Sequence, residues 1–150
     1  MSLIESDLPV WRAYFAVVMA WIIAQSIKVI RNTLQRRRFR VRWLVDTGGM
    51  PSSHSSGTAA VAAVVGFYSG FGSVLFLLAL VFALVTMFDA ASVRRSVGKQ
   101  AIVMNKLIDE FYAEGRFSES RLREFLGHTP VEVLVGAALG IAVAFLICVW

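Results

Sequence analysis

The sequence predicts an all-α integral membrane protein, a bundle of about four transmembrane helices with one further amphipathic helix on the cytoplasmic side. Of its 150 residues, 57% are hydrophobic, and the mean hydropathy is +0.68. A water-soluble domain of this size could not bury so much apolar surface. Long uncharged stretches, with the charges grouped between them, point the same way. We therefore expect a single membrane domain over residues 1–150.

Four segments are predicted to be membrane-spanning helices. Segment 71–88 contains no charged residue and is long enough to cross the hydrocarbon core as one tilted helix. Segment 58–68 is too short alone, but it reaches membrane length if its helix begins near Ser53, and its many small residues suit close helix contacts. The remaining two segments are 9–30 and 133–150.

Segment 9–30 carries the polar residues Arg12, Gln25 and Lys28 near its ends. Long side chains in such positions are expected to extend to the lipid headgroups. A signal peptide is the alternative interpretation of this segment. It fits poorly, because acidic residues precede the apolar run and basic residues follow it.

The distribution of basic residues predicts the orientation of the bundle. Helices that begin near residues 9, 53, 71 and 130 would bring segments 28–42 and 94–123 to the same side of the membrane. These two segments contain every lysine and arginine except Arg12. Because basic loops favour the cytoplasmic side, we predict a multi-pass protein with His54 and His128 on its cytoplasmic face.

The segment "DTGGMPSSHSSGTAAVA", residues 46–62, is a polar turn at the beginning of an apolar helix. Its two glycines allow a tight backbone, and Ser52 or Ser53 can cap the helix. A phosphate at this position would meet free backbone amides, serine hydroxyls and His54 together. The alternative is that the serine is only an N-cap and His54 an interfacial histidine.

The second histidine precedes another helix start, in "LGHTPVEVLVGAALG". Thr129 is the expected N-cap and Pro130 the first helical residue, and Glu132 stands where a capping box requires it. Glu132 also follows His128 by four residues, from which its carboxylate could orient the imidazole. The two roles compete for one side chain.

Between the histidines lies "FDAASVRRSVGKQ", residues 88–100, which contains three cations within about one and a half helical turns. We call Arg94, Arg95 and Lys99 the basic trio. Guanidinium and ammonium groups bind phosphate oxygens, so the trio is a candidate phosphate-binding group. The alternative roles are headgroup anchoring for the trio and a surface ion pair for Asp89.

Three motifs in this order, "GGMPSSHSS", "DAASVRRSVGKQ" and "LGHTPVEVLVGAALG", resemble the divergent branch of the type-2 phosphatidic acid phosphatase family. These are small membrane proteins related to acid phosphatases and vanadium-dependent haloperoxidases. The resemblance covers residues from about 28 to about 140. It implies that His54 protonates the leaving oxygen, that His128 attacks phosphorus, and that Glu132, in place of the usual Asp, orients His128.

The sequence departs from the wider superfamily in two motifs. The superfamily's first motif places a lysine seven residues before an Arg-Pro pair, but Lys28 is followed at that spacing by Gln35. An arginine is also expected six residues before the second histidine, where Leu122 stands between Arg121 and Arg123. We expect the basic trio, together with Ser52 and Ser53, to bind the phosphate instead.

These observations predict an integral-membrane lipid phosphatase that hydrolyses a phosphomonoester through a phosphohistidine intermediate, without a metal or other cofactor. Its substrate would be a membrane lipid, phosphatidylglycerophosphate-like, phosphatidate-like, or a polyprenyl phosphate or diphosphate. The alternative is a non-catalytic membrane protein that binds anionic lipid or acts as a scaffold. No nucleic-acid partner is expected. A bundle this thin around a polar site favours a homodimer.

The sequence also predicts one amphipathic helix and a packing role for the single cysteine. Residues 97–115 have the apolar periodicity of an amphipathic helix, which would lie on the membrane as a flap over the site or close the bundle as a surface helix. Cys148 is the single cysteine, so no disulfide is expected and its role is packing.

Overall fold

The computed structural model describes residues 9–44, 49–113 and 127–150, and within these residues every regular element is a helix. The predicted all-α class is therefore confirmed. A short 3₁₀ helix, Val41–Leu44, follows the first α-helix. The five α-helices are α1 (Val10–Arg36), α2 (Ser53–Ser69), α3 (Val74–Ala91), α4 (Val93–Ala113) and α5 (Pro130–Val149).

Side-chain caps determine where three of the helices begin. Ser52 Oγ accepts a hydrogen bond from the backbone N–H of Ser55 (3.3 Å), and α2 therefore begins at the predicted position. Thr129 caps α5 in the same way, also as predicted. Helix α3 begins three residues later than predicted, because Gly70 has a φ of 85° and Ser73 supplies the cap.

Three helical segments within the described residues are long and apolar enough to cross a membrane. They are Val10–Arg36, Val74–Asp109 and Pro130–Val149, the second of which includes α3 and much of α4. Helix α2 has 17 residues, the lower end of the length that spans the hydrocarbon core. Together these helices form the predicted membrane bundle.

Helix α2 is the centre of the bundle and packs against α1, α3 and α5. The interfaces consist largely of small side chains, which let the backbones approach closely. A hydrogen bond from Ser56 Oγ to the carbonyl of Ala20 (2.9 Å) joins α2 to α1. The buried core residues are Ala16, Ala20, Ala60, Ala63, Val64, Phe67, Val143, Ala144 and Cys148.

Helices α2 and α5 run parallel in close contact through two glycines. A methyl group on Gly136 would overlap the backbone of Ser52, and one on Gly140 would overlap the carbonyl oxygen of Ser56. Gly136 and Gly140 are one helical turn apart, as in the small-xxx-small pattern of membrane helix pairs. The contact aligns the beginnings of the two helices at one end of the bundle.

Helix ends alternate between the two ends of the bundle. The backbone N–H of His128 donates to the carbonyl of Ala90 (3.1 Å), which joins the end of α3 to the beginning of α5. At the opposite end, Tyr68 Oη donates to the carbonyl of Pro9 (3.2 Å). The ends of α1 and α3 and the beginnings of α2 and α5 therefore share one end, which we call the site end.

Helix α4 is the predicted amphipathic helix and packs against α3. It begins at Val93, earlier than the predicted residue 97. Val97, Val103, Met104 and Leu107 are exposed apolar residues on its surface. Its role as a flap over the site stays a prediction.

Candidate functional site

Two helix N-termini meet at the site end. The backbone N–H of Ser52 donates to the carbonyl of Glu132 (3.1 Å), so the cap of α2 is held directly against the first turn of α5. The N-terminal amides of a helix carry partial positive charge and attract anions. Because α2 and α5 are parallel and begin together, their positive ends reinforce each other at this point.

His128 and Glu132 form a pair at the beginning of α5. The His128 side chain is 2% exposed, and its Nδ1 lies 3.3 Å from Glu132 Oε2. The same carboxylate oxygen accepts a hydrogen bond from the backbone N–H of Thr129 (2.9 Å). Glu132 therefore serves the capping box and the histidine together, and the two roles do not exclude each other.

The pairing with Glu132 determines which nitrogen of the neutral His128 ring carries the lone pair. A carboxylate accepts hydrogen bonds, so the neutral imidazole carries its proton on Nδ1 when it is paired with Glu132. The lone pair is then on Nε2, which lies buried inside the bundle. A carboxylate in this position also stabilises positive charge that develops on the ring.

His54 lies in the first turn of α2, two residues after the cap that contacts α5. Its side chain is partly exposed, whereas its Nδ1 atom is buried. The helix begins here because Ser52 caps it, and Thr58 Oγ1 donates to the carbonyl of His54 (2.9 Å) within the next turn. Both histidines therefore belong to helix starts at the site end.

The two serines predicted to bind phosphate have different positions. Ser52 is wholly buried, and its hydroxyl oxygen caps α2 and also accepts a hydrogen bond from Ser55 Oγ (3.0 Å). Ser53 is 2% exposed, and its Oγ lies 3.3 Å from Lys28 Nζ. Of the two, Ser53 is the one that contacts a cation.

Lys28 corrects an expectation from the sequence. Instead of extending to the headgroups, its side chain is 0% exposed and points into the bundle. Its Nζ donates to Gln25 Oε1 (3.2 Å) and to Ser53 Oγ (3.3 Å). Gln25 is also buried rather than extended to the headgroups, and its Oε1 contacts the same ammonium group. The lysine extends inward because α1 packs against the beginning of α2 here.

Gly49 supports the buried lysine. It has a φ of 99°, which favours glycine, and a methyl group there would lie 3.5 Å from Lys28 Cγ. The predicted tight backbone before α2 is therefore present at Gly49, against the stem of Lys28. Gly48 lies outside the described residues.

Of the basic trio, the structure describes the side chain of Lys99 alone. Lys99 is exposed on α4, beside a shallow groove that it lines with Gln100, Val103, Met104 and Leu107. Arg94 and Arg95 belong to α4, but their side chains are outside the described part of the chain, as are the residues Arg121 and Arg123. Phosphate binding by the trio stays a prediction.

No metal centre can be assembled from the residues that the structure describes. Among them, no group of three or more His, Cys, Asp or Glu side chains lies close enough together to hold an ion.

Lys28 was not predicted as a site residue, because the superfamily motif that would include it also requires an Arg-Pro pair. The available signal was an ionisable residue inside an apolar helix with Gln25 one turn before it, since such residues usually have a function. The contact made by Gly136 and Gly140 was not predicted either. Their four-residue spacing in "GAALG" was the signal for a close helix crossing.

The fold and site define a class: an all-helical membrane protein with a histidine–carboxylate pair and a buried lysine where helix N-termini converge. Comparison with known families assigns the chain to one of them. The family model described as "Divergent PAP2 family" matches residues 12–143, and the chain belongs to this family. The matched range contains both histidines, Lys28 and the α2–α5 crossing.

A relative from Bacillus subtilis (strain 168) is also described as a membrane protein. The uncharacterized membrane protein YuiD is 40% identical over 133 residues, which cover 81% of this chain and 84% of YuiD. No solved structure matches the chain. The family model shows the family of the chain, and the apolar helices and YuiD support its membrane location.

Proposed function

We propose that this protein is a metal-independent lipid phosphatase that hydrolyses a phosphomonoester through a phosphohistidine on His128. The observation that carries the proposal is the contact between buried His128 and partly buried Glu132 at the site end, where Lys28 and the N-terminus of α2 also lie. A nucleophile with an orienting carboxylate and a nearby group of cationic and amide donors is the combination that phosphoryl transfer needs.

Phosphate binding is assigned to the buried donors. Lys28 Nζ and Ser53 Oγ, 3.3 Å apart, would contact phosphate oxygens, and the amides at the beginnings of α2 and α5 would add partial positive charge. An ionisable side chain inside a membrane bundle usually has a function, and an ammonium group can bind a phosphate oxygen. The basic trio would approach the same phosphate from α4.

The first chemical step forms a bond between nitrogen and phosphorus. His128 Nε2 attacks the phosphorus atom, and the bond from phosphorus to the lipid oxygen breaks. His54, as an imidazolium, gives its proton to that oxygen, and the lipid alcohol leaves. Glu132 balances the positive charge that develops on the His128 ring.

The second step releases phosphate. Neutral His54 takes a proton from water, the hydroxide attacks phosphorus, and the bond to His128 breaks. Inorganic phosphate leaves, and His54 is again protonated for the next turnover. Charge on the equatorial oxygens is balanced by Lys28 and the helix N-termini in both steps.

The substrate class follows from the location of the site. The reacting groups lie where membrane helices begin, at the depth of lipid headgroups, and we assign this end to the cytoplasmic face from the basic segments. A lipid phosphate can enter sideways with its phosphate at that depth. Phosphatidate-like, phosphatidylglycerophosphate-like and polyprenyl phosphates all meet this description.

The proposal is tested by phosphate release from the full-length protein in detergent with EDTA. The panel contains the three classes of lipid phosphate, and the variants are His128→Ala and, as a matched control on the exposed surface, Gln100→Ala. We expect release from at least one class by the wild type and by the control, and none by His128→Ala.

Two results would contradict the proposal. Release that persists in His128→Ala would exclude this histidine as the nucleophile. If no lipid phosphate is hydrolysed, but liposomes with anionic lipid bind in a salt-dependent way, the non-catalytic alternative is correct.

A further inference from the structure

The surface of α1 has a groove that the proposed chemistry does not use. Its volume is about 480 Å³, and the residues that line it include Trp21, Ile22, Gln25, Ser26, Ile30 and Leu44. We call it the α1 groove. Its size is typical of small-molecule sites, and its lining is mostly apolar.

A hydrogen-bonded connection joins this groove to the buried lysine. Gln25 Nε2 donates to the carbonyls of Trp43 (3.0 Å) and Leu44 (3.1 Å), which holds the 3₁₀ helix against α1. Gln25 Oε1 accepts from Lys28 Nζ (3.2 Å), and Lys28 in turn reaches Ser53. One residue, Gln25, therefore lines the groove and also contacts the ammonium group of the site.

The length and direction of the groove suit a lipid chain. From Trp21 to Ile30, α1 rises about 14 Å, close to half of the ~30 Å hydrocarbon core and thus to one leaflet. The end of α1, at Arg36, lies at the site end. The groove therefore runs along the surface of α1 from the level of Lys28 toward the middle of the membrane. A phosphate at Lys28 would have its hydrocarbon chain beside this surface.

We infer that the α1 groove binds the hydrocarbon chain of the phosphorylated lipid whose phosphate occupies the site. This inference rests on the proposed function and adds a specificity element to it. The substrate is then a long-chain lipid phosphate, because a short-chain or water-soluble phosphomonoester would leave the groove unused. The contact with Gln25 couples an occupied groove to the position of Lys28.

The test compares two substrates that share a headgroup, dioleoyl phosphatidate and dihexanoyl phosphatidate. Ser26→Trp fills the groove from an exposed position without removing a buried contact. Ala142→Trp makes a similar change at an exposed position of α5, outside the groove, and is the control. We expect Ser26→Trp to lower kcat/KM for the dioleoyl substrate at least tenfold and to leave the dihexanoyl substrate within twofold of wild type.

A second measurement does not depend on turnover. Full-length His128→Ala protein in nanodiscs is illuminated with phosphatidate that carries a diazirine in its acyl chain, and labelled peptides are mapped. Labelling concentrated on residues 21–30, and lost in His128→Ala with Ser26→Trp, supports the inference. Equal labelling by a diazirine phosphatidylcholine would show that the groove holds bulk lipid only, and would overturn it.

The two measurements separate this inference from the proposed function. Phosphate release that Ser26→Trp leaves unchanged for both substrates overturns the groove and retains the phosphatase. Specific labelling of the groove by the phosphatidate probe, with no release from any substrate, supports the groove as a lipid-phosphate site and overturns the phosphatase.

Discussion

Lys28 is the residue that the structure adds to the candidate site, and its charge can be tested directly. Lys28→Met keeps the length of the side chain but removes the ammonium group beside Ser53. We expect kcat/KM to fall by about 10²-fold or more, the effect of losing one preorganised donor to a transition state. Lys106→Met, which changes an exposed lysine of α4, is expected to have no effect.

Stability measurements separate the effect of Lys28→Met on catalysis from its effect on folding. Lys28→Met also leaves Gln25 Oε1 and Ser53 Oγ without the ammonium group that they contact, so we expect a lower melting temperature in detergent. Activity is therefore compared per folded molecule, and wild-type activity on that basis would make Lys28 a structural residue.

Glu132 has two roles at one carboxylate oxygen, and two substitutions distinguish them. Glu132→Gln can still accept the hydrogen bond from Thr129, but it no longer carries charge beside His128. We expect kcat to fall by about 10²- to 10⁴-fold, by analogy with orienting carboxylates in other enzymes. Steady-state phosphate release measures this change.

Thr129→Ala is the matched substitution. It removes the cap on Glu132 N–H and leaves the contact between Glu132 and His128. We expect a loss of about 1 kcal/mol in stability, measured by thermal unfolding in detergent, with kcat largely retained. The interpretation is wrong if the cap variant loses activity as severely as Glu132→Gln.

At the scale of elements, the crossing of α2 and α5 aligns the helix starts that carry both histidines. Gly140→Ala introduces a methyl group against the carbonyl of Ser56, one turn away from the site. Because the two helices must separate to admit this methyl group, we expect a destabilisation of about 1–3 kcal/mol. It is measured as a lower melting temperature in detergent. Gly72→Ala makes the same change where nothing lies within 4 Å and should unfold like wild type.

Local sequence signals predicted the helix starts well, because caps act over three or four residues. Ser52, Thr129, Pro130 and Glu132 have their expected positions in the starts of α2 and α5. The burial of Lys28 could not be predicted in the same way. It depends on which face of α1 packs against α2, and residues 25 positions apart in the sequence determine that contact.

At the scale of the whole molecule, the orientation in the membrane is a prediction from the basic segments. Cys148 is the single cysteine of the chain, so Cys148→Ser gives a background for single-cysteine labelling. In intact cells, we expect a membrane-impermeant maleimide to label Gly72→Cys, which lies exposed between α2 and α3. Arg40→Cys, exposed after α1, should be labelled only after permeabilisation. The reverse pattern would place the site end outside the cell.

The assembly of the bundle was predictable from composition and apolar spans, whereas its site required the three-dimensional contacts. Hydropathy identified the spans that became α1, α3 and α5, since a bilayer imposes length and apolarity on any helix that crosses it. The homodimer stays a prediction. The close pairing of α2 with α5, by contrast, follows from two glycines whose partners only the folded chain reveals.

The central claim is that His128 carries the phosphoryl group during turnover. The most direct measurement is rapid quenching of the full-length protein under alkaline conditions with a lipid phosphate labelled in its phosphoryl group, followed by peptide mapping. We predict an acid-labile, base-stable label on the peptide that contains His128, absent in His128→Ala. Phosphate release without a label on His128, or with the label on another residue, would contradict the account.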